Sequence, residues 1–91
     1  MPDKNDLYTT SPSQIVMYTT AWCPDCRRAK LFFQRKGIAY LDVDVNADEK
    51  AEAFVKELNH GNRTVPTIIF PDGSMLVEPS TSELEDRFSG N

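Results

Sequence analysis

The chain has 91 residues and a mass of 10.3 kDa, enough for one domain and too little for two. With 40% hydrophobic and 26% charged residues it can bury a core, which excludes a disordered tract. The net charge of −4 argues against nucleic acid or an anionic membrane as a partner, and no apolar run is long enough to span a bilayer.

The N-terminal segment differs in composition from the rest of the chain. Residues 1–13 are polar, contain two prolines and show no hydrophobic periodicity, so we expect a flexible tail there and a folded domain over residues 14–91. The segment lacks the basic start and apolar centre of a signal peptide, which predicts a cytoplasmic protein. Because cytoplasmic thiols are kept reduced, the two cysteines should serve chemistry rather than form a structural disulfide.

The folded part begins with a strand that runs directly into a helix. The β-prone run over residues 14–19 (QIVMYT) predicts the strand, and the helix is expected over residues 24–36, with Pro24 in its first turn and Gly37 as its left-handed C-cap. The alternation over residues 38–45 predicts a second strand. Strand, helix and strand in this order imply a parallel pair with a right-handed crossover.

A second helix and a hairpin follow. Asn46 and Glu49 are spaced as in a capping box, and apolar residues continue at helical spacing through Ala47, Ala51, Phe54, Val55 and Leu58. Residues 65–70 predict a third strand, which a turn joins to a fourth strand over residues 75–77. Ser80 and Glu83 predict the start of a last helix, whose Leu84 and Phe88 should pack inward. The element order β-α-β-α-β-β-α predicts an α/β fold.

Cys23 and Cys26 lie at the N-terminus of the first predicted helix. Free backbone N–H groups and the helix dipole favour a thiolate on Cys23 at that position. Cys26 is one turn further on, close enough to attack a mixed disulfide formed on Cys23, so the spacing predicts a nucleophile and a resolving thiol. The alternatives are two small buried hydrophobic residues, or half of a zinc site, for which the chain offers only His60 besides the cysteines. We predict no metal site.

Two neighbours of the cysteines each allow two interpretations. Trp22 either offers a flat face to a partner or fills a gap in the surface. Asp25 suits the first turn of a helix, but its charge opposes a thiolate on Cys23, and Arg27 and Arg28 are candidates to offset it. We hypothesise that Asp25 keeps the protein reducing rather than oxidising.

The run from Met17 to Cys26 (MYTTAWCPDC), together with residues 63–66 (RTVP) and an acidic hairpin turn, resembles the glutaredoxin-like redoxins of the thioredoxin superfamily, especially the mycoredoxin type. The resemblance covers nearly all of residues 14–88. It implies a glutaredoxin-like domain with a thioredoxin-like fold, whose four-stranded mixed sheet has the order 2-1-3-4 and is flanked by helices. It also implies a cis bond before Pro66, which would present the backbone of Val65 to a bound thiol peptide.

The resemblance further implies a thiol-binding groove beside the catalytic residues Cys23 and Cys26. Its members would be Trp22, Pro24, Arg63, Thr64, Val65, Pro66, Ser80, Thr81 and Ser82. Helix capping is the alternative role for Ser80 and Ser82, and Arg63 is either a clamp for an anionic thiol or an ordinary surface charge. No tightly bound cofactor is implied, and glutathione, mycothiol or bacillithiol would serve as reductant. Thr20, Asp25 and residues 77–82 depart from the pattern of the glutathione-using members.

Three functions are consistent with these residues. We expect a thiol–disulfide oxidoreductase that reduces protein disulfides or protein–small-thiol mixed disulfides through the CPDC site. The alternative is an electron donor to ribonucleotide reductase or a peroxidase, reduced by thioredoxin reductase. A third possibility is a module that holds an iron–sulfur cluster between two copies, against which Pro24 argues. The expected partners are disulfide-containing proteins and a small thiol, with no nucleic acid or membrane, and the protein should be a monomer.

Overall fold

The computed structural model describes residues 6–89, and its elements follow in the predicted order. Residues 1–5 of the predicted tail and residues 90–91 of the predicted domain lie outside the described part. The elements are β1 (Val16–Thr19), α1 (Pro24–Lys36), β2 (Leu41–Asp44), α2 (Glu49–Leu58), β3 (Thr67–Ile69), β4 (Met75–Val77) and α3 (Thr81–Arg87).

The sheet is built around β1, all four residues of which are buried. This strand pairs in parallel with β2, where Val16 lies opposite Leu41, and antiparallel with β3, where Val16 lies opposite Ile69. β4 pairs antiparallel with β3 at one edge, so the strand order is β2-β1-β3-β4. The predicted mixed sheet and its order are confirmed.

β2 and β3 are shorter than the strands predicted over residues 38–45 and 65–70. Ile38 does not join the sheet because its N–H donates to the Phe33 carbonyl, 2.9 Å away, and completes the end of α1. β3 begins after Pro66, because proline has no N–H to contribute to a strand ladder.

Local sequence signals explain both ends of α1 and the start of α3. α1 covers the predicted residues, with Pro24 in its first turn and Gly37 in the left-handed conformation (φ 67°) at its end. Ser80 and Glu83 form the predicted capping box at the start of α3. Within residues 6–89, none of the helices is long and apolar enough to cross a membrane.

The predicted start of α2 at Asn46 is wrong. The N-cap is Asp48, whose Oδ1 accepts the N–H groups of Lys50 and Ala51 over 3.0 and 3.1 Å. Asn46 lies in the preceding turn, where its N–H donates to the side chain of Asp44 over 2.8 Å. Asparagine and aspartate cap helices about equally well, so the path of the chain after β2 decides between them.

Two clusters of buried residues lie on opposite faces of the sheet, because successive side chains of a strand point to opposite faces. The cluster on the α2 side consists of Val16, Tyr18, Val43, Val45, Ala51, Val55 and Ile69. The cluster on the side of α1 and α3 consists of Met17, Ala29, Phe32, Phe33, Ile68, Phe70 and Leu84. The helices on both faces fix the position of the loop that follows β1.

The end of α3 is held by aromatic contacts. The ring of Phe88 lies 5.4 Å from Phe33, 5.9 Å from Phe70 and 6.0 Å from Phe32, measured between centroids. Leu84, one turn earlier, is fully buried. The predicted inward packing of Leu84 and Phe88 is therefore confirmed, and it ties α3 to α1.

The described part of the predicted tail, residues 6–13, contacts the domain. Asp6 is 3% exposed and accepts the side-chain amide of Gln14 over 3.2 Å, besides the N–H and the hydroxyl of Ser13 within the segment over 2.6 and 2.7 Å. The Tyr8 hydroxyl donates to Asp48 at the start of α2 over 2.6 Å. The tail boundary stays a prediction, and these contacts are the reason to test it by truncation.

Candidate active site

Cys23 lies at the mouth of α1, as the residue that caps the helix. Its Sγ accepts the N–H of Cys26 over 3.0 Å, as a serine or aspartate oxygen does at other N-caps. Pro24 takes the first helical position, where a missing N–H is no loss. A thiolate at this point faces free N–H groups and the positive end of the helix dipole.

Cys26 lies one turn further along α1 and is 1% exposed, whereas Cys23 is partly exposed; both are free thiols. Burial raises the pKa of the Cys26 thiol to about 12, and its hydrogen bond with the Cys23 sulfur acts in the same direction. A backbone hydrogen bond from Thr20 and the charge of Lys30 oppose this rise in pKa. The site therefore combines one accessible sulfur with one buried thiol that is protonated at neutral pH.

The loop before β3 faces Cys23 from the other side. The bond between Val65 and Pro66 is cis, and the carbonyl oxygen of Val65 lies 3.8 Å from the Sγ of Cys23. The Thr67 hydroxyl donates to the Thr64 carbonyl over 2.8 Å and so closes the loop. The structure thus brings the predicted Thr64–Val65–Pro66 segment beside the cysteines.

The surface next to the sulfur is open. Trp22 is 87% exposed, which excludes the interpretation that it fills a gap in the surface. Pro24 is also exposed. Over residues 6–89 the structure has no enclosed pocket, so Cys23 is approached across an exposed face that includes an apolar ring.

The charge of Asp25 is offset by one of the two predicted arginines. The Arg28 guanidinium lies 3.0 Å from the Asp25 carboxylate, three residues away on the same helix. Arg27 is exposed and takes part in none of the ion pairs of the described residues. Both side chains of the Arg28 pair are about half exposed (49% and 46%), so water screens their interaction.

The remaining predicted groove residues have partners of their own. The Nε of Arg63 lies 2.6 Å from a carboxylate oxygen of Glu52 on α2. The Ser80 hydroxyl accepts the N–H of Glu83 over 3.1 Å, so the capping interpretation holds for Ser80. The N–H of Glu78, directly after β4, donates to the Pro66 carbonyl over 2.9 Å and links the end of that strand to the loop that faces Cys23.

Thr81 and Ser82 are exposed in the first turn of α3. Neither side chain forms a hydrogen bond to another of the described residues. Their predicted contact with a small thiol therefore stays a prediction.

One charged residue near the cysteines, Lys30, was not predicted from the sequence. Lys30, four residues after Cys26 on α1, lies 2.8 Å from Asp42 of β2, and Asp42 accepts the hydroxyl of Thr19 over 2.6 Å. The spacing of Cys26 and Lys30 could have signalled it, because residues four apart share a helix face. As for metals, no three His, Cys, Asp or Glu side chains come together anywhere between residues 6 and 89.

Comparison with known proteins assigns this arrangement to a family. The family model described as Glutaredoxin matches residues 15–75. The chain belongs to the glutaredoxin family. The resemblance noted in the sequence is thereby confirmed, and as a glutaredoxin the protein is a thiol–disulfide oxidoreductase.

Two relatives of this glutaredoxin match most of its length. A protein from Mycobacterium tuberculosis that bears the name glutaredoxin is 45% identical over 73 residues, which is 80% of this chain and 87% of the relative. Mycoredoxin 1 from Corynebacterium glutamicum is 40% identical over 72 residues, 79% of this chain and 89% of the relative. The similarity therefore extends over nearly the whole domain.

Solved structures confirm the thioredoxin-like fold of this glutaredoxin. The thioredoxin-like protein BC3987 superposes with a TM-score of 0.68 at 26% identity, covering 80% of this chain and 97% of that structure. A glutaredoxin from Archaeoglobus fulgidus gives the same TM-score of 0.68 at 20% identity, covering 85% and 87%. At 20% identity the second similarity concerns the fold alone.

Proposed function

We propose that this glutaredoxin reduces protein disulfides and protein–small-thiol mixed disulfides, with Cys23 as the nucleophile and Cys26 as the resolving thiol. The contact between the two residues carries the proposal, because the accessible Cys23 Sγ accepts the Cys26 N–H over 3.0 Å. Negative charge on that sulfur is stabilised by the hydrogen bond and by the helix dipole. The burial of Cys26 shields it from bulky protein disulfides, so its partner in disulfide exchange is the mixed disulfide on Cys23.

The reaction begins at Cys23. Its thiolate attacks one sulfur of a substrate disulfide, so that an S–S bond forms to Cys23 and the other substrate sulfur leaves as a thiolate that takes up a proton. In the dithiol route Cys26 then gives up its proton and attacks Cys23, which releases the second substrate sulfur as a thiol and leaves a Cys23–Cys26 disulfide. In the monothiol route an external thiol attacks the small-thiol sulfur that is bound to Cys23, which forms a disulfide between the two small thiols and releases Cys23 as a thiolate that takes up the proton of the external thiol. In the dithiol route two electrons pass from the cysteines to the substrate.

The substrate would lie between Trp22 and the loop before β3. The Val65 carbonyl, 3.8 Å from the Cys23 sulfur, supports this position, because an extended chain bound there could pair with the backbone of Val65. Pro24, Thr64 and Pro66 complete the proposed contact surface. We extend the proposal to Arg63, Thr81 and Ser82 only for substrates that carry a carboxylate, which could use their charge or free N–H groups.

A small thiol is proposed to recycle the protein. The similarity to a protein named mycoredoxin 1 supports mycothiol as the first compound to test, and the departures at Thr20 and Asp25 support a thiol other than glutathione. The protein would act as a monomer in the cytoplasm, where a reduced thiol pool is available. Thioredoxin reductase is the alternative reductant, which would supply electrons from NADPH.

The proposal is tested with mixed disulfides between a carrier protein and mycothiol, bacillithiol or glutathione. Release of the small thiol is measured for the unchanged protein, Cys26→Ser and Cys23→Ser. We expect Cys23→Ser to abolish release, while Cys26→Ser separates the two routes, since only the monothiol route survives it. Parallel reactions with each thiol, or with thioredoxin reductase and NADPH, identify the reductant. Undiminished release by Cys23→Ser would contradict the proposal.

A further inference from the structure

A line of polar contacts runs behind the buried cysteine. The Nζ of Lys30 lies 2.8 Å from Oδ2 of Asp42, and the other carboxylate oxygen of Asp42 accepts the Thr19 hydroxyl over 2.6 Å. Thr19 is 1% exposed at the end of β1, and the backbone of the next residue, Thr20, is among the groups that lower the pKa of the Cys26 thiol. The contacts therefore connect the two elements that enclose the sulfur of Cys26.

Lys30 occupies the helix position from which its charge reaches Cys26. Residues four apart on a helix have Cβ atoms about 5–6 Å apart, and no residue of another element is needed to bring them together. The side chain of Lys30 is 26% exposed, so water screens its charge less than that of a free surface lysine. Asp42 lies on β2, the strand at the sheet edge, and holds the ammonium group of Lys30 in this partly buried position.

We infer that Lys30, held in place by Asp42, stabilises the thiolate of Cys26 and so enables this residue to resolve mixed disulfides on Cys23. The inference rests on the dithiol route of the proposed function. Asp42 is a positioning residue, because it acts through Lys30. In the step concerned, the Cys26 sulfur loses its proton, forms a bond to Cys23 and displaces the substrate sulfur, which takes up a proton. Lys30 keeps its own proton throughout.

The charged and titratable groups that face this site support the assignment. Burial opposes a charge on Lys30, but the hydrogen bond and charge of Asp42 outweigh it, and Tyr40 and Cys26 act in the same direction, so the pKa of Lys30 is raised. The lysine is therefore a cation at neutral pH. Around Cys26, burial, the hydrogen bond with Cys23 and the charge of Cys23 raise its pKa, while Thr20 and Lys30 lower it.

The balance of these effects changes during the reaction. Once Cys23 carries a substrate in a mixed disulfide, its sulfur has no negative charge and no longer repels a thiolate on Cys26. Burial then remains as the main effect against the thiolate, with Lys30 and the Thr20 hydrogen bond in its favour. Because the rate of disulfide exchange depends on the thiolate fraction, the cation matters most at this step.

The test uses Cys23→Ser, in which Cys26 is the only cysteine of the chain. Its rate of alkylation by iodoacetamide is followed from neutral to alkaline pH, with and without Lys30→Met. Removal of a nearby opposite charge raises a thiol pKa, so we expect alkylation of Cys26 to be slower by roughly threefold to tenfold at a given pH. Lys30→Arg should restore most of the rate.

Lys36→Met is the matched control, since it removes a lysine from the last turn of the same helix, where the ammonium lies 5.8 Å from the Phe32 ring. It should leave the pH profile of Cys26 unchanged. An unchanged profile in Lys30→Met, or an equal shift in Lys36→Met, would overturn the inference. If Lys30→Met does not fold, Lys30→Gln is used with the same expectation.

A second set of variants, made in Cys26→Ser, distinguishes failure of the inference from failure of the proposed function. In Cys26→Ser, Cys23 is the only thiol, and Lys30→Met should not change the rate at which it attacks a mixed disulfide. If Cys23 does not react in this background, the proposed function fails. If Cys23 reacts normally and the Cys26 profile is insensitive to Lys30, the proposed function stands and the role of Lys30 is wrong.

Discussion

The backbone N–H of Cys26 donates to the Sγ of Cys23 over 3.0 Å, so the sulfur of one cysteine caps the helix that buries the other. This single contact gives the two thiols opposite properties. The capping sulfur is partly exposed at the N-terminus of α1, where the helix dipole favours negative charge, whereas Cys26 is buried. The order of the chemical steps follows: Cys23 attacks the external disulfide first, and the buried Cys26 then resolves the mixed disulfide.

The ion pair between Asp25 and Arg28, 3.0 Å long, should control the reactivity of Cys23. Arg28→Gln leaves the Asp25 charge uncompensated near the sulfur, and we expect alkylation of Cys23 at low salt to slow by roughly twofold to fivefold, as for other exposed pairs. The same substitution should have no effect in Asp25→Asn, and Arg35→Gln at the far end of α1 serves as control.

The charge of Asp25 should also lower the reduction potential of the cysteine pair. Asp25→Tyr should therefore raise the reduction potential, and a more reducing variant would contradict this role of Asp25.

The contact of 2.6 Å between Arg63 and Glu52 should compete with an anionic substrate for the guanidinium. Glu52→Gln frees Arg63, so the KM for a glutathione mixed disulfide should fall by roughly twofold to fivefold, while Arg63→Met should raise it. A mixed disulfide with an uncharged thiol should respond to neither substitution. Equal KM values for the anionic substrate in all three proteins would show that Arg63 is an ordinary surface charge.

The contacts of Asp6 should make residues 6–13 part of the stable domain. Hydrogen bonds from the backbone and the hydroxyl of Ser13 lower the pKa of Asp6, with burial opposing and Gln14 adding a further bond. Because the folded-state pKa is below its usual 3.8, this stabilisation is present above that pH and is lost as the pH falls through the lowered value. Asp6→Asn should therefore lower Tm at pH 7, and the difference from the unchanged protein should shrink in acid.

Removal of residues 1–13 provides an independent test of the same segment. A flexible tail predicts an unchanged Tm, whereas the described contacts predict a lower one. An unaltered Tm in both the truncated protein and Asp6→Asn would confirm the boundary expected from composition.

Tyr18 should contribute to the loss of stability at alkaline pH, as should Cys26, because burial raises the pKa of both groups to about 12. Burial raises the pKa of Tyr18 from 10.0 to about 12, against the effect of the Tyr8 N–H that donates to its hydroxyl. The stabilisation is complete below pH 10 and is lost as the pH rises towards 12. In Tyr18→Phe this part of the pH dependence should vanish from urea unfolding curves above pH 10, leaving only a constant loss from the unpaired Tyr8 N–H. The same alkaline slope in both proteins would contradict the assignment.

The parts of the fold set by local backbone chemistry were predictable. α1 has both predicted ends because Pro24 and Gly37 are strong signals at a first turn and a C-cap. The start of α2 was not predictable, because Asn46 and Asp48 are equivalent N-cap candidates until the turn after β2 engages one of them. The ends of β2 and β3 likewise depend on which N–H groups the neighbouring segments occupy.

In the site, too, contacts between neighbouring residues were predictable and contacts between distant segments were not. Cys23 and Cys26 are neighbours along the chain, so their arrangement at a helix mouth could be predicted from spacing alone. The position of Val65 beside Cys23 came only from the resemblance, since 42 residues separate them and sheet register decides whether they meet. The Lys30–Asp42 and Arg63–Glu52 pairs join different elements, and neither charge pattern nor spacing specifies such contacts.

The central claim, that Cys23 is the reactive sulfur and Cys26 its buried partner, is tested most directly by brief alkylation of the reduced protein at mildly acidic pH. Peptide mass spectrometry then measures the labelled fraction of each cysteine separately, with a synthetic peptide of residues 17–28 as the unstructured reference. We expect Cys23 to be labelled faster than in the peptide and Cys26 to remain almost unlabelled. Equal labelling of both cysteines, no faster than in the peptide, would contradict the account.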